Sequence, residues 1–353
     1  MDWDLFCRVI DNHGDIGVCW RLAADLAARG ERVRLWIDDP SALAWMAPVV
    51  HPGLSVRRWT AEAAAAEIGD VVVEAFGCDP PESFVRRMAS AEAPPVWINL
   101  EYLSAEAYVE RSHGLASPQS VGPAAGLAKW FFYPGFSPAT GGLIRESDLP
   151  MRQQRFDAAA WLDRHALRPR PGERVVSLFC YDNPALPALL DALAAQPTLL
   201  LAAAGAASAQ VERALGPGLE RGALRALSLP FLAQSDYDHL LWASDLNFVR
   251  GEDSFVRAQW AANPFVWQAY PQADGAHARK LQAFADRFLA AAGSLALADE
   301  LRRLFAAWNG LTDAPPALPD LAPWRALCAA WRDGLLAQDD LATQLLRFVA
   351  ERR

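Results

Sequence analysis

Short apolar runs alternate with longer amphipathic segments along the first third of the chain. The runs are rich in Val, Ile, Leu and Phe, and the Ala-rich stretch 17–29 after the first run has the spacing of a helix that ends at Gly30. Strand, helix and strand in this order predict βαβ units, and continuous apolar runs are typical of parallel strands buried on both faces. The predicted strands are residues 3–10, 32–37, 70–76 and 96–100.

The periodicity is lost between residues 114 and 150, where Gly, Pro and Ser accumulate. This composition predicts long functional loops. A helical pattern at residues 151–165 and a Pro-rich hinge at 168–172 follow, and then the alternation of strands and helices begins again. The predicted strands are 174–181, 198–203, 224–229, 246–249 and 264–268, and the predicted helices are 235–243, 254–262 and 277–291.

Composition agrees with a large folded protein. Of the 353 residues, 52% are hydrophobic and 21% are charged, which excludes a disordered or fibrous chain. A chain of this length is expected to form roughly two domains of about 150 residues each. We therefore predict an α/β protein with two domains built on parallel sheets, an N-terminal one at residues 1–165 and a C-terminal one at residues 170–339.

The segment after residue 339 has a helical pattern of its own. Leu341, Leu345 and Phe348 share one helical face, and they follow Asp340, a residue suited to cap a helix. An apolar face of this kind needs a groove to cover it. We therefore expect residues 340–353 to form a C-terminal helix that joins the N-terminal domain.

The charge balance limits the partners of the protein. With 33 basic and 42 acidic residues the net charge is −9, so a basic partner suits the surface better than nucleic acid or an anionic membrane. The start, Met-Asp-Trp-Asp, has acid where a signal peptide needs base, and no apolar stretch has the length of a membrane span. These features predict a cytoplasmic protein with no membrane or nucleic-acid partner.

Five cysteines occur singly, without a CxxC pair or a histidine at metal-ligand spacing. They predict reduced, buried thiols instead of disulfides or a zinc site. The sequence also lacks HExxH, Walker and GxSxG motifs, so it indicates neither a metal site nor a kinase or serine hydrolase.

The first junction between strand and helix combines carboxylates with glycines. Asp11 and Asp15 follow the first predicted strand, at the edge where α/β sheets bind ligands. Gly14 and Gly17 would let a ligand approach the backbone, but the first glycine of GxGxxG is missing, so a dinucleotide enzyme is not favoured. The alternative is structural: Asp11 and Asn12 shape a turn, and Asp15 caps the helix.

A second junction, again between strand and helix, is rich in charge. Arg250, Ser254 and the free amides of a helix N-terminus form a credible cradle for a diphosphate. The alternative is a capping box, with Asp253 or Ser254 as the N-cap and a solvated pair of Arg250 and Glu252.

Aromatic and amide side chains stand near this junction in the predicted second sheet. Phe179 and Tyr181 share one side of a strand end by their alternation, so they could stack on a base. Gln234 and Tyr237 could offer an amide to a base edge and a ring for stacking. The alternative is structural: Phe179 and Tyr181 belong to the core and a turn, and Gln234 and Tyr237 belong to a loop and a helix cap.

The sequence resembles a known family from end to end, and two of its stretches carry the resemblance. The resemblance rests on residues 3–7 with 9–18 and on residues 250–255, and the family is the bacterial protein-arginine rhamnosyltransferase family EarP. It implies a GT-B glycosyltransferase with two Rossmann-like domains facing a cleft. The N-terminal domain would hold the acceptor, and the C-terminal domain would hold most of the donor.

The resemblance also implies the reaction and its residues. The donor would be dTDP-β-L-rhamnose, the acceptor an arginine of translation elongation factor P, and the sugar would invert without a metal or another cofactor. Asp11, Asp15 and Glu252 would be the catalytic acids. The residues assigned to the donor are Asn12, Gly14, Gly17, Phe179, Tyr181, Gln234, Tyr237, Arg250, Asp253 and Ser254.

Two other functions stay open at this point. One is a GT-B nucleotide-sugar transferase with a different acceptor. The other is a non-catalytic protein that binds a nucleotide sugar or a translation factor, in which Asp11 and Asp15 would serve only as turn and cap residues.

Overall fold

The computed structural model describes residues 1–10, 13–49, 51–60, 67–272 and 274–353. The chain divides into two compact units, the first formed by residues 1–147 and 338–353 and the second by residues 148–337.

The first unit is built on a seven-stranded sheet with the order β3-β2-β1-β4-β5-β7-β6. All neighbouring strands are parallel except the hairpin of the last two. The strands are β1 (Asp2–Cys7), β2 (Arg32–Ile37), β3 (Leu54–Arg58), β4 (Val71–Ala75), β5 (Val96–Leu100), β6 (Ala116–Pro118) and β7 (Ala128–Phe132). The helices before residue 148 are α1 (Gly14–Ala28), α2 (Leu43–Met46), α3 (Glu82–Ala89) and α4 (Ala107–Ser112), with a short 3-10 helix at Gly122–Ala124.

The continuous apolar runs behave as predicted, since every residue of β4 and β5 is buried. Three details differ from the predictions. The first strand ends at Cys7, the first helix begins at Gly14, and the stretch predicted as loops contains β6 and β7. Phe132 explains the last difference, because its buried ring gives the Gly- and Pro-rich stretch an apolar strand to add to the sheet.

The second unit is built on a six-stranded sheet with the order β10-β11-β9-β8-β12-β13, in which only the first two strands are antiparallel. The strands are β8 (Arg174–Leu178), β9 (Thr198–Ala202), β10 (Glu220–Arg221), β11 (Leu224–Ser228), β12 (Leu246–Arg250) and β13 (Phe265–Gln268). The helices are α5 (Leu149–Gln154), α6 (Ala158–Arg164), α7 (Leu186–Leu193), α8 (Ala206–Leu215), α9 (Gln234–Ala243), α10 (Asp253–Ala261), α11 (Ala276–Leu289), α12 (Leu295–Trp308) and α13 (Leu321–Leu336).

The division between the units differs from the boundary predicted near residues 165–170. Residues 151–165 form parts of two helices instead of one, because the Asp157 side chain caps α6 by accepting a hydrogen bond from the Ala160 amide. Trp161 and Leu162 of that helix pack into the core of the second sheet with Leu199. These contacts attach α6 to the second unit, and α5 lies in the same unit.

The C-terminal helix α14 (Leu341–Ala350) lies in the first unit. Asp340 caps it by accepting a hydrogen bond from the Thr343 amide at 2.9 Å, and it also accepts one from Arg29 at the end of α1 at 2.7 Å. The Phe348 ring lies 5.4 Å from the Phe132 ring of β7. A helix cap, an ion pair and an aromatic contact therefore fix this helix on the first sheet.

None of the helices in the described part of the chain combines the length and the apolar character that a membrane span requires.

Replacing Asp340 by Ala removes both the helix cap and a carboxylate partner of Arg29. We expect the free energy of unfolding to fall by about 1–3 kcal/mol, measured by urea denaturation. The matched control is Asp320→Ala, which removes an exposed N-cap on α13 and should cost only about 1 kcal/mol. Equal losses from the two variants would contradict the role of the Arg29 contact.

Candidate active site

The carboxyl edge of the second sheet brings together two aromatic rings and a guanidinium. Phe179 and Tyr181 follow β8, and Arg250 ends the neighbouring strand β12. The guanidinium carbon of Arg250 lies 4.4 Å from the Phe179 ring centre and 4.3 Å from the Tyr181 ring centre. The two rings thus hold the cation by cation–π contact at the sheet edge.

The N-terminus of α10 stands at the same edge, directly after Arg250. Gly251 makes the turn with a φ of 65°, and Glu252 takes the N-cap position without a side-chain cap hydrogen bond. Ser254 donates its hydroxyl to the Arg250 carbonyl. The capping-box alternative, with Asp253 or Ser254 at the N-cap, is therefore wrong.

A buried donor atom at this junction fits an anionic ligand. Among the described residues, the Nε atom of Arg250 has no hydrogen-bond partner although it is buried. Such an atom costs free energy unless a ligand satisfies it. A guanidinium N–H beside the first-turn amides of α10 forms the kind of site that binds phosphates.

Helix α9 contributes the remaining predicted residues. Gln234 begins this helix and donates from Nε2 to Oδ2 of Asp253 at 3.2 Å. The Tyr237 ring lies 5.7 Å from the Phe179 ring, and burial raises the pKa of Tyr237, so its phenol stays neutral. The structure therefore brings together all eight residues predicted in this unit, which are Phe179, Tyr181, Gln234, Tyr237, Arg250, Glu252, Asp253 and Ser254.

A buried ion pair connects the two helices of this site. Arg257 of α10 donates from Nε and Nη2 to the two carboxylate oxygens of Asp238 on α9, at 2.9 and 2.7 Å. Both side chains are almost fully buried. Because a buried charge without its partner is costly, the pair fixes α10 relative to α9.

Two glutamine side chains fix the backbone of Tyr181. Gln268, at the end of β13, accepts a hydrogen bond from the Tyr181 amide at 2.8 Å, and Gln210 of α8 donates to the Tyr181 carbonyl at 3.1 Å. Neither contact was predicted from the sequence. Gln268 ends a predicted apolar strand, and a polar residue at such a position could have indicated a hydrogen bond at the sheet edge.

In the first unit, the predicted residues Asp11 and Asn12 lie outside the described residues. Gly14 begins α1, and Gly17 lies in its first turn, donating its amide to the His13 carbonyl at 3.0 Å. Helix α1 therefore begins at Gly14, about one turn earlier than the predicted start at Gly17.

Asp15 lies inside the first turn of α1 rather than at its N-cap, so the cap alternative is wrong. Its side chain is only 3% exposed. The carboxylate accepts hydrogen bonds from the Ile10 amide at 3.0 Å and from the Tyr102 hydroxyl at 3.2 Å. Tyr102 was not predicted from the sequence, although it follows the buried strand β5 and so lies at the edge of the sheet where α/β proteins bind ligands.

All five cysteines lie in the described part of the chain, and each is buried with a free thiol. Burial raises the pKa of Cys180 to about 12. Within the residues that the structure describes, His, Cys, Asp and Glu side chains do not form a group of three that could hold a metal ion.

A family model described as Elongation-Factor P (EF-P) rhamnosyltransferase EarP matches residues 3–350. The chain belongs to the EarP family. It is 45% identical to a protein-arginine rhamnosyltransferase of Pseudomonas aeruginosa, over 99% of both chains. The resemblance predicted from the sequence is confirmed, and this EarP-family chain is a protein-arginine rhamnosyltransferase.

Solved structures agree with the family and with the fold. A structure described as the structural basis for EarP-mediated arginine glycosylation of translation elongation factor EF-P matches with a TM-score of 0.69 and 32% identity, over 99% of both chains. The spinosyn forosaminyltransferase SpnP matches with a TM-score of 0.52 and 12% identity, over 98% of this chain and 99% of its own, which shows the fold alone. The predicted GT-B glycosyltransferase fold is confirmed.

Replacing Gln268 by Leu tests the support of the aromatic segment. The variant leaves the Tyr181 amide without its acceptor, so the free energy of unfolding should fall by about 1–3 kcal/mol. Urea denaturation followed by tryptophan fluorescence measures the change. Gln196→Leu, at an exposed position before β9, is the control and should stay within about 0.5 kcal/mol of the wild type; an equal effect in both variants would contradict the assignment.

Proposed function

We propose that this protein transfers L-rhamnose from dTDP-β-L-rhamnose to an arginine side chain of translation elongation factor P, with inversion at the sugar. The observation that carries the proposal is the Arg250 guanidinium, held between Phe179 and Tyr181 beside the N-terminus of α10. Family membership supplies the sugar and the kind of acceptor.

The second unit would bind the donor. Arg250, Ser254 and the first-turn amides of α10 suit the diphosphate, because they offer a cation and N–H groups to its oxygens. The rings of Phe179, Tyr181 and Tyr237 suit stacking on thymine, and the amide of Gln234 suits hydrogen bonding to the base edge. Asp253 would help to orient the bound nucleotide through its hydrogen bond with Gln234.

The first unit would bind the acceptor, and its residues Asn12, Gly14 and Gly17 stay predicted donor residues. A net charge of −9 favours the approach of a basic loop. The related protein of known structure acts on translation elongation factor EF-P, and we extend that acceptor to this chain. Because the acceptor is a translation factor, we propose that the reaction takes place in the cytoplasm.

The acceptor must lose a proton that it holds tightly. A free guanidinium has a pKa of about 12.5–13.8, so removing the proton at pH 7 before reaction would cost about 8–9 kcal/mol. We therefore propose that Asp11 and Asp15 bind the guanidinium and draw its charge away from the attacking nitrogen. The proton then leaves as the new bond forms.

In this step the lone pair of an arginine nitrogen forms a bond to the anomeric carbon of rhamnose. The bond from that carbon to the diphosphate oxygen breaks, and dTDP leaves with the electron pair. Asp15 takes the proton of the attacking nitrogen, and attack from the face opposite the leaving group turns the β-linked sugar into an α-linked one.

Two groups of the second unit would assist the leaving group. Arg250 and the N-terminus of α10 would stabilise the charge that develops on the diphosphate, a role that many transferases give to a metal. Glu252, at the N-cap position of α10, stays the third predicted catalytic acid. We propose that the enzyme needs no metal, and we expect a chelator such as EDTA to leave the rate unchanged.

Incubation of the purified protein with dTDP-β-L-rhamnose and unmodified elongation factor P tests the proposal. We expect the intact mass of the factor to rise by one deoxyhexose, and an acceptor arginine-to-lysine variant of the factor to stay unmodified. NMR of the modified peptide should show an α-linked sugar. No gain in mass, with donor binding measured separately, would point to another acceptor or to a binding protein.

Replacing Asp15 by Asn tests the role of this carboxylate in chemistry. The amide has nearly the same shape but accepts no proton, so turnover should fall by a hundredfold or more, roughly. Donor affinity, measured by calorimetry with dTDP, should stay within about twofold of the wild type, since the change lies in the first unit. Lost donor affinity in this variant would overturn the assignment.

Replacing Arg250 by Lys tests the diphosphate site. Lysine keeps the charge but lacks the planar fork and its stacking on two rings, so affinity for dTDP should fall by about 10- to 100-fold. The control is Arg213→Lys at an exposed position on α8, which should bind dTDP as the wild type does. Wild-type affinity in the Arg250 variant would contradict the proposed cradle.

A further inference from the structure

The Asp15 carboxylate accepts hydrogen bonds from two different parts of the first unit. Its Oδ2 atom accepts from the Ile10 amide at 3.0 Å, just before α1, and its Oδ1 atom accepts from the Tyr102 hydroxyl at 3.2 Å, just after β5. Because each carboxylate oxygen has its own donor, rotation of the carboxylate would break at least one of these hydrogen bonds. The orientation of the carboxylate therefore depends on where the Tyr102 hydroxyl lies.

The Tyr102 ring is itself fixed by a neighbouring strand. It stacks on the Phe76 ring with centres 4.2 Å apart and an angle of 10° between the ring planes. Phe76 follows β4, which lies between β1 and β5 in the sheet. The segments that follow three adjacent strands thus supply the carboxylate, the stacking ring and the phenol.

The backbone of Phe76 is in an unfavourable conformation. Its φ is 59°, in the left-handed region that bulky residues avoid. The Phe76 amide donates to the Leu100 carbonyl at 2.7 Å, and the Gly77 amide donates to the Asn99 side chain at 3.2 Å, so β5 holds the turn in place. Backbone conformations that cost free energy persist where the surrounding structure imposes them, and they cluster at functional sites.

A phenol is a suitable partner for a carboxylate that must bind a cation. Tyrosine with its ordinary pKa of about 10 remains protonated at neutral pH, so it donates a hydrogen bond without taking the proton of the acceptor. A lysine or arginine in its place would neutralise the carboxylate and compete with the guanidinium of the substrate. The hydroxyl orients the Asp15 carboxylate and brings no positive charge of its own.

We propose that Tyr102 is a positioning residue of the transferase: stacked on Phe76, it holds the Asp15 carboxylate in the orientation that receives the acceptor guanidinium and its proton. This inference rests on the proposed function, because it assumes the role of Asp15 in that reaction. Tyr102 acts through Asp15 and not on the donor, so its removal should lower turnover and leave donor binding unchanged.

The test is Tyr102→Phe, which keeps the stacked ring and deletes the hydroxyl. With elongation factor P as acceptor, we expect kcat to fall by about 10- to 100-fold, with the KM for dTDP-rhamnose unchanged. Tyr108→Phe is the matched control in the same unit; Tyr108 is partly exposed on α4, and this variant should keep the wild-type kcat. A wild-type kcat in Tyr102→Phe, or a rise in donor KM alone, would overturn the inference.

A double-mutant cycle with Asp15→Glu separates action through Asp15 from independent effects. Glutamate keeps a carboxylate but moves it away from the phenol, so Tyr102→Phe should have little further effect in that background. Fully additive losses would overturn the inference. Phe76→Leu removes the stacking and keeps the hydroxyl, and it should lower kcat without changing donor KM; unchanged kcat in this variant would also count against it.

The wild-type protein in the same assay distinguishes the two proposals. A wild type that does not modify elongation factor P would refute the proposed function, and the role of Tyr102 with it. An active wild type with an equally active Tyr102→Phe variant would refute the role of Tyr102 alone.

Discussion

The proposed donor site depends on the register of two strands, β8 and β12. Within the sheet, the Ser177 hydroxyl lies 2.5 Å from the side-chain oxygen of Asn247, and the two residues are directly paired. This buried contact identifies one register, because a slip by one residue would separate the two polar groups and reverse the faces of β12. Arg250 would then point away from Phe179 and Tyr181, and the proposed diphosphate cradle would be lost.

In both units, buried charged side chains connect elements that are distant in sequence. The pair of Arg257 and Asp238 connects two helices, and Asp4 of β1 connects Arg34 of β2 with the amide of Gly69 before β4. Removing one partner of such a pair leaves an uncompensated charge, which is costly, whereas an apolar pair of similar size need not be less stable. We interpret these pairs as devices that select one arrangement of helices and strands, more than as sources of stability.

Much of the fold could be predicted because its signals are local. The apolar runs of β4 and β5, the charged junction at Arg250 and the apolar face of α14 each lie within a few consecutive residues. The contacts of Tyr102 with Asp15 and of Gln268 with Tyr181 join residues far apart in sequence, and only the strand order brings them together. The early start of α1 escaped prediction because two glycines, poor helix formers in general, occupy its first turn.

Because α14 belongs to the first unit, the two units cannot finish folding in the order in which their synthesis begins. Residues 338–353 are synthesised after the whole of residues 148–337, so the second unit, which is continuous in sequence, can close while the chain is still being made. The first unit must wait, with the groove for Phe348 uncovered and Arg29 without Asp340. For this chain, therefore, the unit that begins to emerge first is the one that finishes folding last.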